Sequence, residues 1–333
     1  MTHHKNIVFL VESRNGSERL KQLLTQHQDS HNLQFIQTTA IGLYHFKYPK
    51  EIKLSDLPCS FEPQWQPRKE NKLLKLTTAP YTIKQHEFVP IGLTISETLQ
   101  QADIIVLTEY HDTSSIHSMH KILEAHPHQA EVLLLPDSVP KQKDMDSIFN
   151  GTAQRLQDNE ELKQLHEQSK VKEYFDYNFN IHSAYILGQC LTVAGINHPN
   201  YVMSKNSLLT LHYIRTKRTI SMPDLLMVFQ ENWKGTGKYA VTSLGSIVSR
   251  TEILFTLIEA GLLTKLHNDL ELSDKGHAFL NMLHPDCCDL DLPQRIEQWM
   301  ILGSTAYPKI DKYVRTFFGK QMRFFNKLHL VEN

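Results

Sequence analysis

The sequence predicts an open, mostly parallel α/β sheet in its first half and a mainly helical second half. Three observations predict this. Short β-branched apolar runs recur near residues 7, 104 and 131, each bounded by polar turns. Helical patterns separate them, as connections between parallel strands require. From about residue 150 the strand signals stop, and long stretches of helical periodicity take over. At 333 residues with 41% hydrophobic content, the chain is long enough for two domains with real cores. The boundaries are set at 1–148 and 149–333, with an irregular insertion at about 36–90.

Each element has its own warrant. Ile7 to Val11 (IVFLV) reads as a parallel strand buried on both faces. A polar turn, Glu12 to Ser17, leads to a helical pattern over Glu18–Gln26. Ile104 to Leu107 is the second strand. After the loop Thr108–Ser115, the residues Ile116, Met119, His120 and Leu123 space as one face of a helix. Glu131–Leu135 is the third strand, stopped at Pro136-Asp137. The insertion is rich in Pro, Lys and aromatics and carries a few strands. Its Trp65 reads as an anchor or a partner contact.

In the second half, Gln154–Gln168 is charged and helical. Tyr174–Ala194 and Ser207–Thr216 are apolar-periodic. Ser221 precedes Met222-Pro223-Asp224, a cap followed by Pro in the first turn. Thr251–Ala260 is a helix stopped by Gly261. Leu262–Leu272 reads as a small β wing, and Ser273–Leu283 as a helix opened by a serine cap. Helix, turn, helix, hairpin, helix is a winged-helix-like outline.

Composition excludes more than it selects. Lys+Arg (35) and Asp+Glu (36) nearly balance, so any nucleic-acid site must be a local patch. The 19 histidines are scattered and read mostly as surface residues. Cys59, Cys190, Cys287 and Cys288 contain no CxxC pair, which argues against a zinc ribbon and a disulfide scaffold. The first apolar run is shorter than a signal-peptide core, and no run approaches a membrane span. The expectation is a soluble cytoplasmic protein with no membrane partner.

The serial order of motifs resembles the type IA topoisomerases. Val8–Ser13 (VFLVES) places Glu12 where that family's TOPRIM domain has a strand-end Glu. Ala40-Ile41-Gly42-Leu43 and Leu57-Pro58 through Trp65 look like its turn and Trp/Pro-rich insertion. Thr108 through Ser115 stands where the family has a DxDxE loop. Asn180-Ile181-His182-Ser183-Ala184-Tyr185 is similar to N-L-T-R-A-Y, and Met203 through Leu211 to S-x-G-R-V-Q-T-P-T-L. Ser243 through Arg250, on to Gly261-Leu262, tracks the G-I-G-R-P-S-T-Y segment. Leu272 through Gly276 tracks L-x-P-T-x-x-G, and Asp289 through Glu297 tracks D-x-x-F-T-A-x-M-E. The resemblance covers most of the chain, each motif is weak alone, and it implies a TOPRIM-like α/β domain followed by the family's winged-helix-like core.

The same alignment shows what is missing. Tyr213-Ile214-Arg215 runs through Arg218 straight to Ser221, with no room for the domain that carries the family's nucleophilic Tyr. The acidic loop reads Glu109, His111 and Thr113, with Asp112 offset by one. Spaced carboxylates are needed to hold Mg²⁺, and Gly16 replaces the family's usual turn Lys. No catalytic residue and no cofactor are expected. A rescued Zn²⁺ or Mn²⁺ site on Glu12, Glu109, His111 and Asp112 is the alternative, and would make the protein a metal-dependent phosphoesterase.

What the resemblance retains is grip. It implies a DNA-binding set of Lys205, Ser207, Arg215, Lys217, Arg218, Lys238, Arg250 and Arg295, serving single-stranded DNA through phosphate contacts and stacking. Lys312, Arg315, Lys320 and Arg323 alternate with Tyr313, Phe317 and Phe318, giving a basic, aromatic last segment. Each has a plainer reading as a solvated face or, for the aromatics, as core. The functions expected are a catalytically inactive DNA-binding accessory factor in plasmid, phage or mobile-element DNA processing, or a protein-interaction scaffold with a closed groove.

Overall fold

The computed structural model describes residues 4–11, 20, 23–24, 30–37, 44–67, 80–84, 87–108, 113–135, 140–196, 201–245 and 247–330. The chain forms two compact units, 1–47 with 64–170 and 48–63 with 171–333. The division falls at residue 170 rather than 148, and a piece of the expected insertion belongs with the second unit.

Unit 1 is built on six strands: β1 (Asn6–Val11), β2 (Asn32–Gln37), β5 (Tyr81–Lys84), β6 (Glu87–Pro90), β7 (Ile104–Thr108) and β8 (Glu131–Leu135). Their order is β6-β5-β2-β1-β7-β8. β2, β1, β7 and β8 are parallel, whereas β5 and β6 pair antiparallel at one edge. The sheet is therefore mixed, and part of the expected insertion extends it. A separate pair, β3 (Tyr44–Phe46) and β4 (Trp65–Pro67), brackets the excursion of 48–63.

Period-two alternation explains the apolar strand runs. Ile7, Phe9 and Val11 enter one core with Ile104, Val106 and Leu133. Val8 and Leu10 enter the other with Ile105, Leu107 and Leu134. Leu20 and Leu24 of the expected first helix are buried in the first core. α1 (Ile95–Gln100) opens with a reciprocal capping box between Thr94 and Glu97. α2 (Thr113–Ala125) buries Ile116, Met119 and Ile122 against the second core, with Leu123 partly buried beside them. α3 (Gln142–Phe149) covers the first core through Met145 and Ile148.

The charged stretch from Gln154 begins with a short 3-10 turn, and the helix proper is α4 (Glu160–His182), whose early turns belong to unit 1. In unit 2 it continues through a π-helical turn, Ser183–Leu187, into α5 (Gly188–Val193). Then come α6 (Lys205–Lys217), β9 (Thr219–Ser221), α7 (Met222–Glu231), α8 (Ile247–Glu259), β10 (Leu263–Leu266), β11 (Asp269–Leu272) and α9 (Asp274–Asn281). The strands form an antiparallel sheet in the order β10-β11-β9. The stretch Leu262–Leu272 contains the β10–β11 hairpin, and β9 adds a third strand.

Ser221 and Ser273 cap α7 and α9 through their side chains, and Gly261 closes the turn after α8 at φ +73°. α10 (Leu292–Leu302) and α11 (Tyr307–Leu330) complete the unit. Phe175, Phe179, Trp299, Phe317 and Phe318 lie in its core. All four cysteines are free thiols, with Cys190 and Cys287 buried. Among the described residues, no helix is long and apolar enough to cross a membrane.

Candidate nucleic-acid interface

The eight expected DNA-contacting residues divide into two groups. Lys205, Ser207, Arg250 and Arg295 are engaged within unit 2, whereas Arg215, Lys217, Arg218 and Lys238 are exposed.

Lys205 opens α6, and its ammonium donates to the Asp176 carboxylate. Lys172 also donates to Asp176, at 3.0 Å. Burial alone would raise the Asp176 pKa, but the two ammonium groups outweigh it and bring the carboxyl down to about 2. Burial lowers the Lys205 pKa, opposed by the Asp176 charge. The cation is thus spent inside the unit. Ser207 is buried, its hydroxyl 2.8 Å from the Ser204 hydroxyl that caps the helix.

Arg250 ties α8 to α7. Its guanidinium donates to the carbonyls of Leu244 and Gln230, each at 3.4 Å. Arg295 reaches Asp289 at 3.3 Å and lies 5.5 Å from the Tyr313 ring. These residues belong to a constellation that fixes the loop before α8. The Trp233 indole donates to Leu290 O at 2.8 Å, and the Thr236 amide and hydroxyl each donate to Asp291 at 2.6 Å. Thr242 donates to Glu297, and Gln294 donates to Trp233 O at 3.1 Å. The acids of the Asp289–Glu297 motif therefore work as loop anchors.

Three of the exposed group, Arg215, Lys217 and Arg218, lie at the end of α6. Arg215 donates to Asn281 at 3.4 Å, and the Lys217 ammonium lies 5.6 Å from the Tyr213 ring. Arg218 turns the chain into β9 at φ 67°, a left-handed conformation rarely taken by a non-glycine residue. Its amide still closes on Ile214 O at 2.8 Å. Lys238 sits in the loop before α8, 5.4 Å from the Tyr239 ring.

The longest cationic surface lies on α11. This 24-residue helix spans about 36 Å at the usual rise. Lys309, Lys312, Arg315, Arg323 and Lys327 are exposed, and Lys320 is half-buried and paired with Asp286. The spacing of three to five residues keeps most of them on one side. The one carboxylate of the helix, Asp311, accepts the Tyr174 hydroxyl at 2.7 Å. The opposite side, with Ile310, Val314, Phe317 and Phe318, is core. Four of these cations stood out in the sequence, and Lys309 and Lys327 complete the row. Tyr313, Phe317 and Phe318 pack inside and are not available for base stacking.

In unit 1, Trp65 lies 4.2 Å from Phe46, with the Lys121 ammonium over its ring, so it anchors the β3–β4 pair. β1 ends at Val11 and its parallel neighbour β7 at Thr108. The carboxylates that follow each in sequence, Glu12 and Glu109, lie outside the described residues, as do His111 and Asp112. Four histidines, His117, His166, His182 and His212, are buried, whereas the other described histidines are exposed or partly exposed. Packing encloses the buried ones, His117 and His166 against each other and His182 against Phe318, which sequence position alone does not reveal. No family model matches the chain, and no curated protein matches it.

Proposed function

We propose that the protein binds DNA, single-stranded in preference, as a non-catalytic accessory factor, and that the exposed cations of α11 supply the main phosphate contacts. The carrying observation is the row Lys309, Lys312, Arg315, Arg323 and Lys327 on one helix of a chain with no net basic excess. Such local concentration of charge attracts a polyanion where the average charge does not. Arg215, Lys217, Arg218 and Lys238 are secondary contacts.

Two fold assignments accompany this reading. The order helix, strand, helix, helix, strand, strand with sheet order β10-β11-β9 fits a winged-helix module. Adjacent parallel strands that end just before Glu12 and Glu109 fit a TOPRIM-like domain. The short link from α6 through β9 to α7 supports the reading that the nucleophile domain of the topoisomerases is missing here.

The test is binding of a single-stranded oligonucleotide across a salt series. Five phosphate contacts give a log–log slope of about −3.5. A flat salt response, or no binding at low salt, removes the proposal.

One observation favours the scaffold reading. The exposed residues of α8 include Glu252, Phe255 and Glu259, an apolar and acidic set unsuited to phosphate. Capture of a partner protein after nuclease treatment, lost in Phe255→Ala, separates a scaffold from a DNA binder.

A further inference from the structure

Three histidines and a glutamate meet in unit 1, and none of them is among the residues invoked for DNA. His117, His120 and Glu124 lie on α2 at spacings of three and four, which puts them on one face. His166 comes from the early turns of α4. Its ring centroid lies 3.9 Å from that of His120 and 5.4 Å from that of His117.

The polar atoms of this cluster are poorly served. His166 is 6% exposed, and among the described residues no hydrogen bond reaches either of its ring nitrogens. Its nearest carboxylate oxygen, from Glu124, is 3.5 Å from Nε2. His120 Nε2 is likewise enclosed without a hydrogen bond. Each unsatisfied buried nitrogen costs about 1–3 kcal/mol. Two imidazoles stacked face to face with unused lone pairs need a reason.

Burial first, and then the charge of neighbouring groups, brings the pKa of both His120 and His166 down to about 4. Both rings are therefore neutral near pH 7, the form that binds metal. Lys121 and Lys170 lie near and oppose positive charge at the rings, and Glu124 and Glu167 counter them only in part.

We propose that His120, His166 and Glu124 form a binding site for a divalent transition-metal ion of the zinc class. One ligand atom from each lies within 4.8 Å of the others. Ligands bound at about 2.1 Å around a tetrahedral ion sit about 3.4 Å apart. The His166–Glu124 pair already meets that spacing, and the other pairs need to close by only about an ångström. Two imidazoles and one carboxylate suit Zn²⁺, Co²⁺ or Ni²⁺, whereas Mg²⁺ and Ca²⁺ prefer all-oxygen sites. Glu124 is exposed, so the site opens to solvent on that side and leaves a fourth position for water. The ion would join α2 to the start of α4 within unit 1.

The experiment uses the full chain, stripped with chelator and titrated with Co²⁺ and then Zn²⁺. The expected result is a single bound Co²⁺ with the visible spectrum of tetrahedral coordination, displaced by Zn²⁺, and a rise in the melting temperature. His166→Ala and His120→Ala are expected to weaken binding at least about a hundredfold, by loss of one of three ligands. Glu124→Gln, at an exposed position, keeps the fold and is expected to weaken binding about tenfold. Absence of binding by the unaltered protein overturns the proposal. So does affinity unchanged in Glu124→Gln and in whichever histidine variants fold.

Discussion

Lys205 donates its ammonium to the carboxylate of Asp176, a partner 29 residues away on a different helix. The pair joins the start of α6 to α4 inside unit 2, and Lys172 adds a second cation to the same carboxylate. This changes what substitution at Lys205 should do. Removing one partner of an enclosed ion pair leaves the other charge poorly compensated. Lys205→Ala is expected to lower stability by about 2 kcal/mol, less than for an isolated buried pair because Lys172 remains. DNA affinity should move by less than about twofold, since the charge is already neutralised. Urea unfolding measures the first effect and oligonucleotide titration the second. A large loss of affinity without loss of stability would return Lys205 to the phosphate-contacting set.

The α11 face gives the opposite expectation. Lys312, Arg315 and Arg323 project from a helix whose other side is core, so reversing their charge leaves the packing intact. On the proposed interface, the triple change to Glu would remove about three phosphate contacts. The salt slope for single-stranded DNA should become shallower by about 2, and affinity at moderate salt should fall by about tenfold or more. Stability should change by less than about 1 kcal/mol, as for exposed positions generally. Unchanged slope in this variant would move the interface away from α11.

These two cases show which features can be read from sequence. β1, β7 and β8 were legible because each is a continuous apolar run whose period needs no partner to be seen. β2 was not. Its sequence, NLQFIQ, carries polar residues among the apolar ones, and Gln34 becomes buried only because strands flank it on both sides. β9 has three residues and exists by pairing with β11, about fifty residues later in the chain. The same division applies to the site. The basic face of α11 follows from spacing within one helix. The engagement of Lys205, Arg250 and Arg295 depends on Asp176, two backbone carbonyls and Asp289, which only the fold brings within reach. His117, His120 and Glu124 share a visible spacing, but His166 joins them through packing alone.

Gly276 offers a sharp steric test of the β10–β11 hairpin. A Cβ there would meet the Leu262 carbonyl oxygen at 2.2 Å, with the Leu272 side chain at 3.4 Å. The backbone of α9 lies this close because Ser273 caps it while donating to Gly261 O at 2.6 Å. The obstacle is backbone, and the Ser273 amide holds that carbonyl by donating to it at 3.1 Å, so it cannot rotate away. Gly276→Ala is expected to destabilise by about 2–3 kcal/mol, despite the better helix propensity of Ala. Thermal unfolding of this variant, against Ala substitution at the exposed neighbour Lys275, checks it. A stability equal to that of Lys275→Ala would show that the hairpin can shift away from α9.

His212 sets a dependence on mild acid. It is buried in α6, and burial first, with the Arg215 charge second, brings its pKa from 6.5 down to about 4. The folded state therefore disfavours the imidazolium, and the unfolded chain takes up a proton at higher pH than the native protein. Between pH 6.5 and about 4 the unfolded state holds more protons, so stability falls as pH falls through that window. Above it the stability is fully present. A shift of this size corresponds to about 3 kcal/mol. Asp176 works in a lower window: its stabilisation is present above the usual carboxylate pKa of 3.8 and is lost only as pH falls toward about 2. The expected observation is a urea midpoint that drops between pH 7 and about 4.5 and does so less steeply in His212→Asn. His120 and His166 titrate in the same range, so the difference between the two proteins, rather than the slope of either, carries the test. Parallel curves for the two would mean that water reaches the His212 ring and keeps its pKa near that of the unfolded chain.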